Sequence, residues 1–217
     1  MATKSPKGAG VNEILNWKFD LAEGIPQAWR DHLGEFPQKQ WYMYVDGEAG
    51  HGKTDYIMQL TKMLATHIGK VSLNGVEQGK HTQIRESAVR HRFDELEPGK
   101  FIYEKKLRDW DLYKAKMKNS RPRVMIIDSI SMWPLTVKEV QELLQEFEAK
   151  IIILVAYAAH FNQNKPIRHL CDIKVRVENF QAITSSSRFG GSKPFTIWEE
   201  GYRKATGKKS NGQMRLL

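Results

Sequence analysis

One octapeptide, residues 47–54, constrains the fold of this chain more than any other stretch of its sequence. It reads GEAGHGKT and matches the pattern G-x-x-x-x-G-K-[S/T]. The apolar stretch before it, residues 41–46, predicts a buried strand. A helix is predicted after it from apolar residues at helical spacing, which are Ile57, Leu60, Leu64 and Ile68. A glycine-rich turn between a strand and a helix is the setting of a phosphate-binding loop (P-loop), whose backbone N–H groups and helix N-terminus face an anion.

The P-loop pattern assigns a role to each kind of residue in it. We expect Lys53 to reach the β- and γ-phosphates and the Thr54 hydroxyl to ligate Mg²⁺. A guanine-specific N-K-x-D motif is missing from the sequence, so ATP with Mg²⁺ is the expected cofactor pair. The predicted nucleotide-binding residues are Gly47, Glu48, Ala49, Gly50, His51, Gly52, Lys53, Thr54 and Asp55.

Two carboxylates follow other predicted strands. Asp128 ends the apolar stretch 123–128, where a carboxylate can hold Mg²⁺ through water. Hydrolysis also needs a group that orients or deprotonates a water molecule. Glu77, just after the predicted strand 70–74, is the first candidate for this base, and Glu48 in the P-loop is the second.

The remaining segments alternate between strand and helix patterns. Strands are predicted at residues 101–103 and 151–157, around Ile173, Val175 and Val177, and near residues 182–186 and 195–198; helices are predicted at 82–93, 107–117 and 137–149. This alternation favours an α/β fold with a mainly parallel central sheet and helices on both faces. We divide the chain into a lead-in segment (1–40) that packs on or links to the core, the core itself (41–202) and a basic, flexible tail (203–217).

The charge and the cysteine content limit the partners and the compartment. The 217 residues carry a net charge of +9, which favours a polyanionic partner or else gives a solvated basic surface. The single cysteine excludes a disulfide within the chain and suits a reducing cytoplasm. The longest apolar run, residues 151–159, is too short to span a membrane.

These motifs, together with the stretch 187–190 (SRFG), resemble RecA-like P-loop ATPases. Within that group the chain is most similar to RadA and to small, single-core RadA-like recombination proteins of phages. The resemblance implies that Glu77 activates the water. Arg188 matches the arginine of a K-N-R-F-G motif that acts on the nucleotide of a neighbouring subunit, although the lysine position holds Ser186. A homo-oligomer, either a ring or a filament, is therefore expected.

The resemblance also implies sensor and DNA-binding segments. The stretch 156–160 corresponds to the γ-phosphate sensor region, so Tyr157 and His160 are candidate sensors. The family grips DNA with loops after the fourth and fifth strands, here residues 129–136 and 160–169. The candidate DNA contacts are Lys165, Arg168 and His169, with Arg203, Lys204, Lys208 and Lys209 in the tail. Residues 19–22 fit the F-x-x-A pattern that joins subunits in some recombinases, unless Phe19 simply packs on the core.

Three functions agree with these features. The first is a Mg²⁺-dependent ATPase that acts on DNA in recombination, repair or replication, is stimulated by single-stranded DNA and is active as an oligomer. The second is a replicative helicase-type motor or a helicase loader. The third is an ATP-gated protein-binding switch with slow hydrolysis.

Overall fold

The structure is a computed structural model that describes residues 8–77 and 81–208. Within these ranges the strands are β1 (Trp41–Gly47), β2 (Val71–Gly75), β3 (Phe101–Lys105), β4 (Val124–Asp128), β5 (Ile151–Tyr157), β6 (Ile173–Glu178), β7 (Gln181–Ser187) and β8 (Phe195–Thr196). The α-helices are α1 (Val11–Leu15), α2 (Gln27–Leu33), α3 (Lys53–His67), α4 (Thr82–Arg90), α5 (Trp110–Ser120), α6 (Val137–Glu146), α7 (Phe161–His169) and α8 (Glu199–Thr206).

The strands form one sheet in the order β3-β2-β4-β5-β1-β6-β7-β8. Strands β1 to β6 run parallel, and β7 and β8 are antiparallel additions at one edge. The central strands β1, β4 and β5 are almost completely buried, which explains their continuous apolar sequences. The predicted mainly parallel α/β sheet is therefore present.

Helices cover both faces of the sheet. Alternate residues of β1 point to opposite sides: Trp41, Met43 and Val45 join a core with α2 and α3, whereas Tyr44 joins a second core with α5, α6 and α7. Each core removes a large apolar surface from water, so both faces of the parallel sheet are stabilised by burial.

Helix α2, in the predicted lead-in segment, packs on β7 and β8. Trp29 stacks on Phe195 with ring centroids 4.2 Å apart. The buried His32 hydrogen-bonds through Nε2 to the Tyr56 hydroxyl at 2.9 Å, and its carbonyl accepts from the Thr184 hydroxyl at 2.7 Å. Burial lowers the pKa of His32 to about 4, so this histidine is neutral at pH 7.

The first described residues, 8–21, are exposed to solvent instead. Phe19 is 69% exposed and Leu21 is 47% exposed, while Ala22 is buried. The alternative in which Phe19 simply packs on the core is therefore wrong.

Two predictions that concern the candidate DNA contacts differ from the structure. Helix α8 continues through the predicted tail boundary at residue 202, so Arg203 and Lys204 are helical and not part of a flexible arm. The predicted DNA loop 160–169 is mostly helix α7, which contains Pro166. Lys209 and the rest of the predicted tail lie outside the described residues. In the part of the chain that the structure describes, we find no helix with the length and apolar character needed to cross a bilayer.

Candidate nucleotide-binding site

The P-loop follows β1 at the carboxyl edge of the sheet, between the ends of β5 and β6. Gly47 pairs with Tyr157 on one side and Val177 on the other. A Cβ atom on Gly47 would lie 2.4 Å from the Val177 carbonyl oxygen, so only glycine fits this close approach. Gly52 has φ +94°, and a Cβ there would meet the Phe180 ring at 3.0 Å. Glycine is therefore required where the loop leaves the strand and where it enters the helix.

The Lys53 side chain points back into the loop at the start of α3. Its Nζ atom donates to the carbonyl oxygens of Gly47 at 2.8 Å and Glu48 at 3.1 Å. The same ammonium group lies 4.8 Å from the centroid of the Tyr157 ring. Burial lowers the pKa of Lys53, and the negative charge of Asp128 acts in the opposite direction. The ammonium group is therefore desolvated and close to carboxylates.

Strand pairing brings Asp128 and Glu77 together. Gly75, the last residue of β2, is in register with Asp128, the last residue of β4. Past this point the Asp128 carbonyl accepts from the backbone N–H of Val76 at 2.7 Å and of Glu77 at 3.3 Å. Burial, followed by the charge of Glu77, raises the pKa of Asp128 to about 6, against the opposing effect of Lys53. The two carboxylates thus share one electrostatic environment.

Tyr157 connects this pair to the P-loop from the end of β5. Burial raises the pKa of Tyr157, and a side-chain hydrogen bond with Glu77 raises it further. The phenol is therefore protonated at neutral pH and lies close to the Glu77 carboxylate. The other candidate sensor, His160, packs edge-on against Tyr157, with ring centroids 6.2 Å apart.

These residues surround a cavity of about 440 Å³. Its predicted lining residues are Ala49, Gly50, Gly52, Lys53, Thr54, Asp55, Glu77, Asp128 and Tyr157. Gly47, Glu48, His51 and His160 are outside this lining. The His51 ring nitrogen Nδ1 accepts from the backbone N–H of Asn179, in the β6–β7 turn, at 3.1 Å. The histidine of the P-loop therefore anchors the loop to this turn.

One wall of the cavity was missed in the sequence. Helix α4 contributes Gln83, Glu86, Ser87 and Arg90, and the β6–β7 turn contributes Phe180. The turn is built on positive φ angles at Asn179 and Phe180, which only the structure shows. The polar sequence of α4 contains no signal for where that helix lies.

Asp55 attaches α4 to the P-loop helix. Its carboxylate accepts from the Ser87 hydroxyl at 2.8 Å and from Arg90 Nη1 at 2.8 and 2.9 Å. His91 Nε2 is 3.1 Å from the same carboxylate. Predicted as a nucleotide-binding residue, Asp55 lines the cavity and also connects the two helices that form its walls.

Arg188 lies at the opposite end of the sheet from the P-loop, where the parallel strands begin. It follows β7, where Ser187 pairs with Ile173 at the start of β6, and its guanidinium forms an ion pair with Asp172 at 2.9 Å. Asp172 in turn accepts from the backbone N–H of Tyr42. The distance along β1 from Tyr42 to Gly47 is about 17 Å at a rise of about 3.4 Å per residue. Arg188 is therefore remote from the P-loop of its own chain.

The candidate DNA contacts fall into two groups. Lys165, Arg168 and His169 lie on α7, and Arg168 Nη2 donates to the Ser185 hydroxyl at 2.8 Å. Arg203 and Lys204 lie on α8, with Lys208 just after it. None of these residues lines the cavity at the P-loop.

The chemistry of the cavity fits a magnesium–nucleotide complex. The Thr54 hydroxyl and the Asp128 carboxylate both line it, and hard oxygen donors of this kind suit Mg²⁺. A cation beside Asp128 would also offset the like charge of Glu77, which contributes to the raised pKa of Asp128.

The same fold is present in solved structures of two archaeal proteins. One is the KaiC-like protein PH0186 from Pyrococcus horikoshii OT3, with 16% identity over 81% of this chain and 92% of that chain. The other is the flagellar accessory protein FlaH from Methanocaldococcus jannaschii, with 14% identity over 81% of this chain and 91% of that chain. The TM-score is 0.60 for both. The predicted RecA-like α/β fold is confirmed. No protein-family model and no curated protein matches the sequence.

Proposed function

We propose that this chain is a Mg²⁺-dependent ATPase of the RecA type. The observation that carries the proposal is the single cavity lined by Lys53, Thr54, Asp128 and Glu77 at the P-loop. Lys53 supplies the cation of a P-loop, and Thr54 supplies its metal-binding hydroxyl. Asp128 supplies a carboxylate beside the metal, and Glu77 supplies a base.

Each residue has a distinct part in the proposed reaction. Lys53 exchanges the carbonyl oxygens of Gly47 and Glu48 for oxygens of the β- and γ-phosphates. Thr54 and Asp128 hold Mg²⁺, which neutralises phosphate charge when it is bound. Glu77 orients the attacking water and accepts its proton.

Tyr157 supports this reaction from the wall of the cavity, where it contacts Lys53. Its phenol lies close to the Glu77 carboxylate, and its ring faces the Lys53 ammonium group. Movement of Lys53 towards a phosphate therefore changes the surroundings of the residue that holds the base. This connection is our physical basis for Tyr157 as the γ-phosphate sensor, in preference to His160, which is outside the cavity lining.

The finer proposal is that the ATPase acts on DNA in recombination, repair or replication, as a homo-oligomer stimulated by single-stranded DNA. Its support is the net charge of +9, the basic residues of α7 and the similarity of the motifs to those of RadA-like phage proteins. The second candidate, a helicase-type motor or loader, uses the same cavity and differs in predicting strand separation. The protein-binding switch is favoured by Ser186, which stands in place of the motif lysine.

Phosphate release from Mg·ATP, with and without oligo(dT), tests the proposal at low and moderate salt. We expect hydrolysis that is abolished in Lys53→Ala and stimulated by the DNA, with the stimulation fading as salt rises. If ATP is hydrolysed but DNA does not stimulate the rate, the proposed ATPase activity stands and the proposed action on DNA is rejected. An equal rate in the wild type and in Lys53→Ala would contradict the ATPase itself.

A further inference from the structure

A second cavity, of about 370 Å³, lies between α2, α3 and the C-terminal end of α4. We call it the α2–α3 cavity. Its floor is apolar, because its lining includes Trp29 and Met63, which are only 2% and 5% exposed. Small-molecule sites are typically cavities of a few hundred Å³ with apolar walls and a few polar groups. The α2–α3 cavity therefore has the size and the floor of a ligand site.

Residues 90–92 place three basic side chains on this cavity. Arg90 ends α4, and Arg92 has a left-handed backbone with φ 55°, which is uncommon for a residue other than glycine. Both arginines line the cavity, and so does His91 between them. A continuing helix would point consecutive side chains about 100° apart around its axis. The break in the helix thus accompanies the gathering of these three side chains at one cavity.

Cations outnumber carboxylates in this lining. Lys62, Arg90 and Arg92 are opposed by Glu95, the one carboxylate among the described residues of the lining. Glu95 pairs with both Lys62, at 2.5 Å, and Arg92, at 2.9 Å. The hydrogen bond from Lys62 lowers the pKa of Glu95, so this carboxylate is ionised at neutral pH. Burial lowers the pKa of His67, so this histidine adds no charge there. The lining therefore has an excess of positive charge that an anion would neutralise.

Arg90 belongs to both cavities. It lines the α2–α3 cavity and the cavity at the P-loop, and it pairs at 2.8 Å with Asp55, which lines the cavity at the P-loop. His91 Nε2 also lies 3.1 Å from the Asp55 carboxylate. An anion in the α2–α3 cavity attracts Arg90 away from Asp55. The charge around Asp55 therefore depends on what occupies the α2–α3 cavity.

We propose that the α2–α3 cavity binds a small organic anion, and that this ligand weakens the binding of nucleotide at the P-loop. The phosphate or carboxylate of the ligand contacts Lys62 and Arg92, and its apolar part packs on the floor of the cavity. With Arg90 drawn to the ligand, the unpaired Asp55 carboxylate repels the phosphates of a nucleotide. The binding of the anion stands on the cavity alone, whereas the weakening rests on the proposed nucleotide site.

Isothermal titration calorimetry with phenyl phosphate, an aromatic phosphate, tests the binding of the anion. The titrations are made without nucleotide in Lys53→Ala, which lacks the phosphate-binding cation of the P-loop. We expect saturable binding at one site, weakened at least about tenfold by the added pair Lys62→Ala, Arg92→Ala. The control pair, Lys138→Ala with Arg203→Ala, removes one exposed lysine from α6 and one exposed arginine from α8, and it should leave the affinity unchanged.

Glu95→Gln should change the affinity in the opposite direction. Removal of this charge frees both of its cations, so phenyl phosphate should bind about threefold or more tightly. Glu142→Gln is the matched control, because the Glu142 side chain is 45% exposed and that of Glu95 is 46% exposed. Absence of binding, equal effects of the two double substitutions, or no tightening in Glu95→Gln would overturn the site. Equally tight binding of inorganic phosphate, or displacement of phenyl phosphate by oligo(dT), would overturn its assignment to a small organic anion.

Titration of the wild type with Mg·ADP at rising concentrations of phenyl phosphate tests the link between the two cavities. We expect the affinity for Mg·ADP to fall to a plateau that is roughly fivefold or more weaker, and not to fall in Arg90→Ala. Weakening without a plateau would mean competition at the P-loop, and it would overturn the link, as would an unchanged affinity. Failure of the wild type to bind Mg·ADP would contradict the nucleotide site and the link together, while the titrations in Lys53→Ala would still decide whether the anion binds.

Discussion

The backbone and the side chain of Glu77 are held by different strands. Its backbone N–H donates to the Asp128 carbonyl at the end of β4, and its carboxylate lies close to the Tyr157 phenol at the end of β5. A base must lie within hydrogen-bond reach of the water that it activates, and both contacts direct Glu77 into the cavity at the P-loop. Glu48, the second candidate for the base, is exposed and outside the cavity lining.

We therefore expect Glu77→Gln to bind ATP and to hydrolyse it at least about a hundredfold more slowly, because the amide keeps the shape and loses the basic oxygen. Single-turnover hydrolysis, with nucleotide binding measured separately, checks this prediction. Glu97→Gln, on an exposed turn, is the matched control for the chemical change. Loss of turnover in Glu48→Gln with normal turnover in Glu77→Gln would assign the base to Glu48 instead.

At the scale of elements, the sequence predicts the parts of the fold that periodicity controls. Strand β5 has its predicted bounds, because a continuous apolar run marks a strand buried on both faces. Helix α5 was predicted to begin at residue 107 but begins at Trp110, because Asp109 caps it by accepting from the Leu112 N–H at 2.8 Å. The spacing of apolar residues alone does not show at which residue a capping side chain begins the helix.

Periodicity also failed for α7 and for the position of α4. Pro166 removes a helix hydrogen bond and the segment is polar, so α7 resembled a loop. The position of α4 depends on Asp55, whose partners Ser87, Arg90 and His91 are more than thirty residues away in the sequence. A long-range ion pair has no local sequence signal, so the α4 wall of the cavity could not be predicted.

Substitution of Asp55 by asparagine tests that attachment. Burial acts to raise the pKa of Asp55, but hydrogen bonds from His91 and Ser87 and the charge of Arg90 outweigh it, so the pKa is lowered. Asp55 therefore contributes stability above the ordinary aspartate pKa, and this contribution is lost as the pH falls through the lowered value. Because Arg90 is 58% exposed, we expect Asp55→Asn to cost about 1 kcal/mol at pH 7.

The melting temperature should fall by about 2–4 °C for a loss of this size, and hydrogen exchange of the α4 amides should accelerate. The control is Asp111→Asn, whose carboxylate is 94% exposed and 3.5 Å from Lys114. If Asp55→Asn and Asp111→Asn gave the same melting temperature and the same exchange, Asp55 would not hold α4 in place.

At the scale of the whole molecule, the two ends of the sheet carry different halves of the proposed ATPase site. The carboxyl ends of the parallel strands hold the P-loop, Glu77 and Asp128. Arg188 lies at the amino ends of these strands, beside Asp172. An arginine that is about 17 Å away along β1 cannot reach a phosphate in its own cavity. If Arg188 acts on a nucleotide at all, the nucleotide belongs to a neighbouring copy, in a head-to-tail assembly of identical chains.

Mixing two inactive variants tests this arrangement. Arg188→Ala keeps its P-loop, Lys53→Ala keeps its Arg188, and we expect each alone to be at least about a thousandfold slower than the wild type. In an equal mixture about a quarter of the head-to-tail interfaces join an intact P-loop to an intact arginine, so hydrolysis should recover to roughly that fraction. A mixture of Arg188→Ala with the double variant Lys53→Ala, Arg188→Ala has no such interface and should stay inactive. Equal rates in the two mixtures would mean that Arg188 does not act across a subunit boundary, and its ion pair with Asp172 would then be its whole role.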